Sequence, residues 1–213
     1  MDLCNKEVSS ETPVQKGMVP LGSNDLEILI PPPPSEEDRV SELSKVSDQY
    51  RNPKNPKQMQ PALDSDMDAL FNAVLRDAGL PSSLYMITGI SRSVVPDIAF
   101  HKNYFGAVRP KELADKHGID FTCDELESAK TASYPSGHTT QAYYIAKVLG
   151  DIYPGSKPKL DKLASNIADS RVDRGVHFPS DNDAGRMLAE SLYEKTRQRM
   201  LTGDIRYQEV FGG

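Results

Sequence analysis

The sequence contains no tryptophan and only two cysteines, Cys4 and Cys123, which lie far apart. This separation lacks the close cysteine spacing of a zinc site, so we expect two free thiols in a reducing compartment. No run approaches the roughly 18 consecutive apolar residues that a membrane helix needs, and the first residues lack the apolar core of an export signal. As written, the sequence predicts a soluble, cytoplasmic protein without a membrane partner.

The sequence also has fewer basic than acidic residues, so its net charge is −6. A nucleic acid polymer is therefore not an expected partner, since nothing would hold it by counterion release. No stretch alternates as a strand does, and there is no internal repeat. Apolar residues instead recur every three or four positions from about residue 63 onward. We predict an all-α, single-domain helical bundle over residues 31–213, preceded by a flexible N-terminal arm over residues 1–30.

Capping and breaking residues predict where the helices begin and end. Four prolines at 31–34 predict a polyproline II segment, a linker or a docking strip for a partner domain. Ser35 then predicts the N-cap of a helix with an acidic first turn. Pro96 is expected to kink or restart a later helix. Further helices are predicted to start near Ser82 or Ser83, Ser136, Pro158 and Ser180, the last with Met187, Leu188 and Leu192 on its apolar face.

Three polar clusters contain the residue types that bind a phosphate group. Lys102 and Arg109 offer a cation and a bidentate fork, and Arg171 offers a second fork. Ser136 offers a hydroxyl, and Gly137 allows close approach of the backbone at a predicted helix start, where free amides point at an anion. These residues predict a phosphate site that needs no metal ion.

Two histidines complete the chemistry. His177 precedes Asp181 by four residues, a spacing that brings the carboxylate onto the imidazole and makes His177 a candidate nucleophile. His138, at the start of a predicted helix, is then the candidate general acid for the leaving oxygen. His101 and His117 belong to neither cluster and are expected to be structural.

The combined pattern resembles that of a known family. It reads Lys-x6-Arg-Pro from Lys102, Pro-Ser-Gly-His ending at His138, and Ser-Arg-x5-His-x3-Asp ending at Asp181. This pattern resembles the type 2 phosphatidic acid phosphatase superfamily, which includes lipid phosphatases, vanadium haloperoxidases and bacterial class A acid phosphatases. The fuller strings around His138 and Asp181, and the apolar residue before four prolines, look most like class A enzymes. The resemblance covers about residues 29–200.

The resemblance implies a helical fold and a metal-independent acid phosphatase that uses no cofactor. By the same resemblance, the enzyme is expected to act on soluble phosphomonoesters, such as nucleotides or other small organic phosphates, through a phosphohistidine. If the matching residues have the roles that they have in the family, His177 attacks phosphorus, Asp181 orients His177, and His138 protonates the leaving group. These roles imply a bell-shaped, acidic pH profile. The phosphate oxygens are held by Lys102, Arg109, Ser136, Gly137 and Arg171. Related class A enzymes are often dimers or larger, so a homo-oligomer is an expected partner state.

Several alternatives remain open at this stage. Nucleoside di- or triphosphate hydrolysis uses the same groups, a haloperoxidase binds vanadate in the same pocket, and a non-enzymatic phosphate-binding module needs only the anion site. Secreted class A enzymes carry an export signal, so this chain is expected to be intracellular, virus-encoded, or periplasmic with its signal trimmed. Lys111 stands where an aromatic residue is expected, and Phe178 replaces a bulkier aromatic residue; both are expected near the pocket rim.

Overall fold

A computed structural model of the chain describes residues 26–202. Most of these residues are helical, and there is no strand between positions 26 and 202. The predicted all-α class is therefore confirmed. Most of the predicted arm over residues 1–30, including Cys4, lies outside the described residues, as do residues 203–213.

Nine α-helices follow one another in the described part of the chain. They are α1 (Glu36–Arg51), α2 (Gln60–Ser65), α3 (Met67–Asp77), α4 (Leu84–Ser93), α5 (Val95–Phe105), α6 (Pro110–Lys116), α7 (Gly137–Ile152), α8 (Lys157–Asp173) and α9 (Pro179–Leu201). Short 3-10 turns occupy Lys57–Met59, Glu127–Ala129 and Pro154–Ser156. Within residues 26–202, none of the helices combines the length and apolar character required to cross a membrane.

Two of the predicted capping residues, Ser35 and Ser83, cap their helices, whereas Ser136 occupies the N-cap position of α7 without a capping bond from its side chain. The Ser35 hydroxyl accepts a hydrogen bond from the Asp38 amide at 3.1 Å, and α1 begins with three acidic residues. Ser83 caps α4 in the same way, through the Met86 amide at 3.3 Å. Pro96 lies in the first turn of α5, so the predicted interruption is a complete break between α4 and α5. Helix α2 was not predicted, because its six residues are too few to show a helical period.

Helix α7 is the centre of the core. It packs along α8 and α9 and also contacts α4 and α5. Its predicted apolar face is buried, with Ala142, Ile145, Ala146 and Leu149 all fully inaccessible. Burial of this face removes apolar surface from water and is the main favourable term that orders the bundle. The first turn of α7 is consequently held in a fixed position.

Helix α9 corrects one sequence-based prediction. Leu188 and Leu192 are buried as predicted, but Met187 is 42% exposed. The buried face of α9 runs through Ala184, Leu188 and Leu192. Met187 precedes Leu188 and lies about 100° away around the helix, so it faces the solvent.

Asp173 fixes the connection between α1 and α2. Its carboxylate is buried and accepts hydrogen bonds from the Gln49 amide side chain at 2.9 Å and the Lys54 backbone amide at 2.9 Å. It also accepts from the backbone and side chain of Asn55, at 3.0 and 2.8 Å. These bonds hold the chain against α8 just before α2 begins, and therefore position the end of α2.

The last residues of the predicted arm contact the helical body. The Leu29 amide donates to His101 Nε2 at 3.1 Å, and Ile30 is buried in the core. One residue later, the Pro31 carbonyl accepts a hydrogen bond from the Tyr134 hydroxyl at 2.8 Å. The segment from residue 29 therefore packs as part of the folded body.

Gly185 allows α9 to approach the start of α7. A Cβ atom at Gly185 would lie 2.7 Å from the Ser136 carbonyl oxygen and 3.0 Å from Thr139 Cβ. Neither contact can be relieved by moving a flexible side chain, because the Ser136 oxygen belongs to the backbone and Thr139 Cβ is bonded directly to it. The absence of a side chain at this position therefore sets the distance between the two helices.

We expect Gly185→Ala to lower the free energy of unfolding by about 1 to 3 kcal/mol, because overpacking forces α7 and α9 apart. Thermal or urea denaturation followed by circular dichroism measures this change. Gly155→Ala is the matched control, since nothing lies within 4 Å of its added Cβ. Equal stability of the two variants would show that α7 and α9 do not depend on this contact.

Candidate active site

His177 and Asp181 form a buried hydrogen-bonded pair. His177 lies in the turn between α8 and α9, and Asp181 lies in the first turn of α9. The distance from His177 Nδ1 to Asp181 Oδ2 is 3.0 Å, and the two side chains are 2% and 0% exposed. The same oxygen accepts from the Ser133 hydroxyl at 2.6 Å and from the Phe178 amide at 3.0 Å. The predicted spacing of four residues thus brings the carboxylate onto the ring.

The protonation state of the pair follows from its surroundings. Burial alone would raise the pKa of Asp181, but hydrogen bonds from His177, Ser133 and the Phe178 amide hold it below its usual value. The ionised carboxylate has no proton to give, so His177 Nδ1 donates. Burial lowers the pKa of His177 well below its usual value, against the opposing effect of Asp181. The ring is therefore neutral, with its lone pair on Nε2.

Arg109 lies against this lone pair. Its Nη1 atom is 3.2 Å from His177 Nε2 and donates to the Val176 carbonyl at 2.7 Å, while Nε donates to the Thr131 carbonyl at 2.8 Å. Its Nη2 atom is buried and has no hydrogen-bond partner. A buried N–H without an acceptor is costly, and an anion at His177 Nε2 would satisfy it.

Two further cations are buried nearby. Lys102 Nζ donates to the carbonyl oxygens of Ala132 and Ser133, and burial, together with the charge of Arg109, lowers its pKa to about 7. Arg171 is fully buried, and its Nε atom has no partner. Burial and then the charge of Arg171 also lower the pKa of Arg109, to about 10. Beyond the effect of burial, the three cations lie close enough for their charges to lower the pKa of Lys102 and Arg109. The region between them is therefore strongly attractive to an anion.

The start of α7 faces the same volume. A Cβ atom at Gly137 would lie 3.6 Å from Lys102 Cε, so this backbone approaches the lysine closely. Gly137 is the first residue of α7, where backbone amides have no partner within the helix. The Ser136 hydroxyl, predicted to cap the helix and contact phosphate, is buried and lies 2.9 Å from Thr139 Oγ1. The Thr139 hydroxyl donates to Asn182, so the Ser136 hydroxyl proton points at Thr139.

His138 follows Gly137 and has about one fifth of its side chain exposed. Its Nε2 atom is 3.0 Å from the Asp64 carbonyl oxygen, so Nε2 donates and Nδ1 is the ring nitrogen left for other partners. Burial and the charge of Arg171 lower its pKa to about 4, against an opposing effect of Asp64. The ring therefore gains its second proton only under acidic conditions.

Asp64 and Ser128 were not predicted as part of this site. Asp64, at the end of α2, pairs with Arg171 Nη1, and the Ser128 hydroxyl donates to Asp64 Oδ1 at 2.9 Å. Arg171 Nη2 in turn donates to the Ser128 hydroxyl at 3.0 Å. No spacing indicates these residues, because they are far from Arg171 in sequence. The charges of the predicted site did indicate that a further carboxylate was needed, since the site held three cations and one carboxylate.

The histidines outside the predicted clusters have structural contacts. His101 is buried, donates from Nδ1 to the Asp97 carbonyl at 2.7 Å and accepts the Leu29 amide at Nε2. His117 pairs with Glu36 at the surface, 2.8 Å away. The structure brings the eight predicted residues into one region through the contacts and charge effects described above, although the Ser136 hydroxyl bonds Thr139: Lys102, Arg109, Ser136, Gly137, His138, Arg171, His177 and Asp181. No group of three metal-binding side chains occurs in the part of the chain from residue 26 to 202.

Comparison with known proteins agrees with this geometry. The sequence model of the PAP2 superfamily matches residues 81–193, which include every predicted site residue. The non-specific acid phosphatase of Salmonella typhimurium is 29% identical over 195 residues, which cover 86% of this chain and 77% of the relative. That of Salmonella typhi is 28% identical over 174 residues, covering 76% and 69%.

Solved structures show the same fold. The transmembrane PAP2-type phosphatidylglycerolphosphate phosphatase from Bacillus subtilis superposes with a TM-score of 0.50 at 19% identity, over 81% of this chain and 90% of that chain. At this identity the likeness concerns the fold alone. The superfamily match and the names of the relatives together support a phosphatase. The match spans more than half of the sequence, and the chain belongs to the PAP2 superfamily.

Proposed function

We propose that this chain is a metal-independent phosphomonoesterase that hydrolyses small soluble phosphate esters through a phosphohistidine at His177. The observation that carries the proposal is the neutral, buried His177 ring. Its Nδ1–H is held by Asp181 at 3.0 Å, and its Nε2 lone pair lies 3.2 Å from Nη1 of Arg109, whose Nη2 is buried without a hydrogen-bond partner. A nucleophile is most effective when a hydrogen bond fixes its tautomer and nearby donors bind the group it attacks.

In the first step, His177 Nε2 attacks phosphorus and the bond from phosphorus to the ester oxygen breaks. His138 donates the proton of Nδ1 to the departing oxygen, so an alcohol leaves. The phosphorylated ring keeps its Nδ1–H and is cationic, and the adjacent Asp181 carboxylate stabilises it. Positive charge from Lys102 and Arg109 offsets the charge of the phosphoryl oxygens.

In the second step, a water molecule attacks the phosphoryl group and the bond from phosphorus to Nε2 breaks. His138, now neutral, accepts the proton of that water at Nδ1, which returns it to its starting state. His177 regains its lone pair, and inorganic phosphate leaves. Protons, electrons and atoms balance over the cycle without a metal ion.

A groove next to Arg109 supports monoesters over nucleoside polyphosphates. Its volume is about 570 Å³, and its lining includes Lys111 and Lys130 but also Asp124, Glu125 and Glu127. The three carboxylates balance the charges of Arg109, Lys111 and Lys130, so further phosphates on a leaving group would gain no net attraction in this groove. An uncharged leaving group needs no such attraction.

We expect His177→Ala to lower turnover of p-nitrophenyl phosphate in EDTA by at least about 10³-fold, because the covalent step loses its nucleophile. His117→Ala is the matched control, since that ring pairs with Glu36 at the surface. Full activity of the His177 variant, or a strict requirement of the wild type for a divalent metal, would contradict the proposal.

Activity is expected to be highest at acidic pH. His138 has a pKa of about 4 and acts as acid only when protonated, so kcat/KM decreases by about tenfold per pH unit above that pKa. His177 remains neutral under acidic conditions because burial lowers its own pKa well below the usual value. The measurement is a pH profile with glycerol phosphate, whose alkoxide leaving group needs a proton. A profile that keeps rising through neutral pH would exclude His138 as the acid.

His138→Gln separates the role of the acid from that of binding. The variant is expected to lose much more activity toward glycerol phosphate than toward p-nitrophenyl phosphate, because p-nitrophenolate leaves without a proton. An equal loss with both esters would indicate a role other than proton donation.

AMP is expected to give a higher kcat/KM than ATP, because the groove next to Arg109 has no excess of cations to bind the additional phosphates. Release of inorganic phosphate from equal concentrations of each nucleotide in EDTA measures the ratio. A preference for ATP or ADP would favour the nucleoside di- or triphosphate hydrolase instead.

A further inference from the structure

Asp64 contacts His138 through both its backbone and its side chain. The Asp64 carbonyl oxygen lies 3.0 Å from His138 Nε2, and its Oδ1 atom lies 3.4 Å from the same nitrogen. The carbonyl belongs to the last turn of α2, where backbone oxygens have no partner within the helix. The imidazole N–H supplies that partner. This contact leaves Nδ1 as the nitrogen that can exchange a proton with a substrate.

The Asp64 carboxylate is held on the opposite side by a cationic network. It pairs with Arg171 Nη1, accepts the Ser128 hydroxyl at 2.9 Å, and has Arg174 Nη1 3.6 Å from its second oxygen. The side chain is only 17% exposed. Its charge therefore acts at short range in a poorly solvated region, where it is screened little.

The charged groups around His138 come from three helices. Arg171 from α8 and Lys102 from α5 oppose a positive charge on the ring, whereas Asp64 from α2 favours it. Arg174 from α8 faces the carboxylate rather than the ring. Asp64 is thus the carboxylate that offsets the neighbouring cations for the acid histidine, as Asp181 does for the nucleophile.

We propose that Asp64 is a positioning residue for His138, whose carbonyl oxygen fixes the ring with Nδ1 toward the substrate and whose carboxylate balances the charge of Arg171. This inference rests on the proposed function in that it assigns a helper to the acid of that reaction. Each histidine of the site then has its own aspartate, one before α3 and one at the start of α9. Neither the family pattern nor the sequence spacing contains the first of these pairs.

A second role for Asp64 is less compatible with the contacts. A carboxylate can occupy an anion site until phosphate displaces it, which would make Asp64 an inhibitory group. Arg171 already uses Nη1 for Asp64 and Nη2 for Ser128, and its Nε atom remains without a partner. Phosphate can therefore bind Arg171 through Nε while Asp64 stays in place.

The test is the titration of the His138 ring in the full chain, followed by NMR and assigned from the signal that disappears in His138→Gln. Asp64→Asn keeps the backbone carbonyl and removes the charge. We expect it to lower the His138 pKa by about one unit, because the cations then act unopposed. The alkaline limb of the kcat/KM profile should shift to lower pH by the same amount. Asp66→Asn is the matched control, since Asp66 is exposed at the end of the same helix.

A charge-balance variant keeps the test valid if Asp64→Asn does not fold, because a buried arginine without its partner is destabilising. Arg171→Gln should raise the His138 pKa, and adding Asp64→Asn to it should return the pKa toward the wild-type value. An equal His138 pKa with and without the Asp64 charge, in either background, would overturn the proposal.

Two readouts distinguish the possible failures. If Asp64→Asn binds inorganic phosphate more tightly and is more active at every pH, Asp64 is an inhibitory group and the proposal is wrong. If the wild type turns over no phosphate ester while its His138 pKa still responds to Asp64, the proposed function fails and the positioning role stands. The NMR titration needs no substrate, so the two results are independent.

Discussion

One oxygen atom of Asp181 connects the parts of the site that must keep a fixed geometry. Oδ2 accepts hydrogen bonds from His177, from the Ser133 hydroxyl and from the Phe178 amide. The Asp181 carbonyl also accepts the Ser136 amide at 3.0 Å. His177, the loop before α7 and the start of α9 are therefore held to the same residue. Loss of this carboxylate would leave several buried donors without an acceptor, which is more costly than losing one hydrogen bond.

Around this point the fold buries an unusual amount of positive charge. Lys102, Arg109 and Arg171 are all largely removed from solvent, although burial disfavours their charged forms. Backbone carbonyls of the loop before α7 accept from Lys102 and Arg109, and Asp64 neutralises Arg171. One N–H donor atom of Arg109 and one of Arg171 remain without a hydrogen-bond acceptor in the protein. An anion of suitable size completes the set, so stability and ligand binding act through the same atoms.

Much of this arrangement was predictable because it is local in sequence. The pair of His177 and Asp181 depends on a spacing of four residues, and the start of α7 depends on the string around Ser136 and Gly137. The role of Asp64 was not predictable in this way, since it lies 107 residues from Arg171. The packing of α2 on α8 brings them together, and the buried hydrogen bonds of Asp173 hold the chain against α8 just before α2. The orientation of the Ser136 hydroxyl likewise follows from Thr139 and Asn182, which no motif identifies.

The extended segment before α1 gives the site a dependence that lies outside the motifs. Leu29 and Pro31 are bonded to His101 and Tyr134, and Tyr134 directly follows Ser133, which holds Asp181. The backbone at residues 29–31 is therefore connected through Tyr134 and Ser133 to the loop before α7 and to Asp181. By reciprocity, anything that orders this loop also favours docking of the segment, and detachment of the segment weakens the loop. Pro31, which cannot donate a backbone hydrogen bond but accepts one from Tyr134, thus belongs to the scaffold of the site.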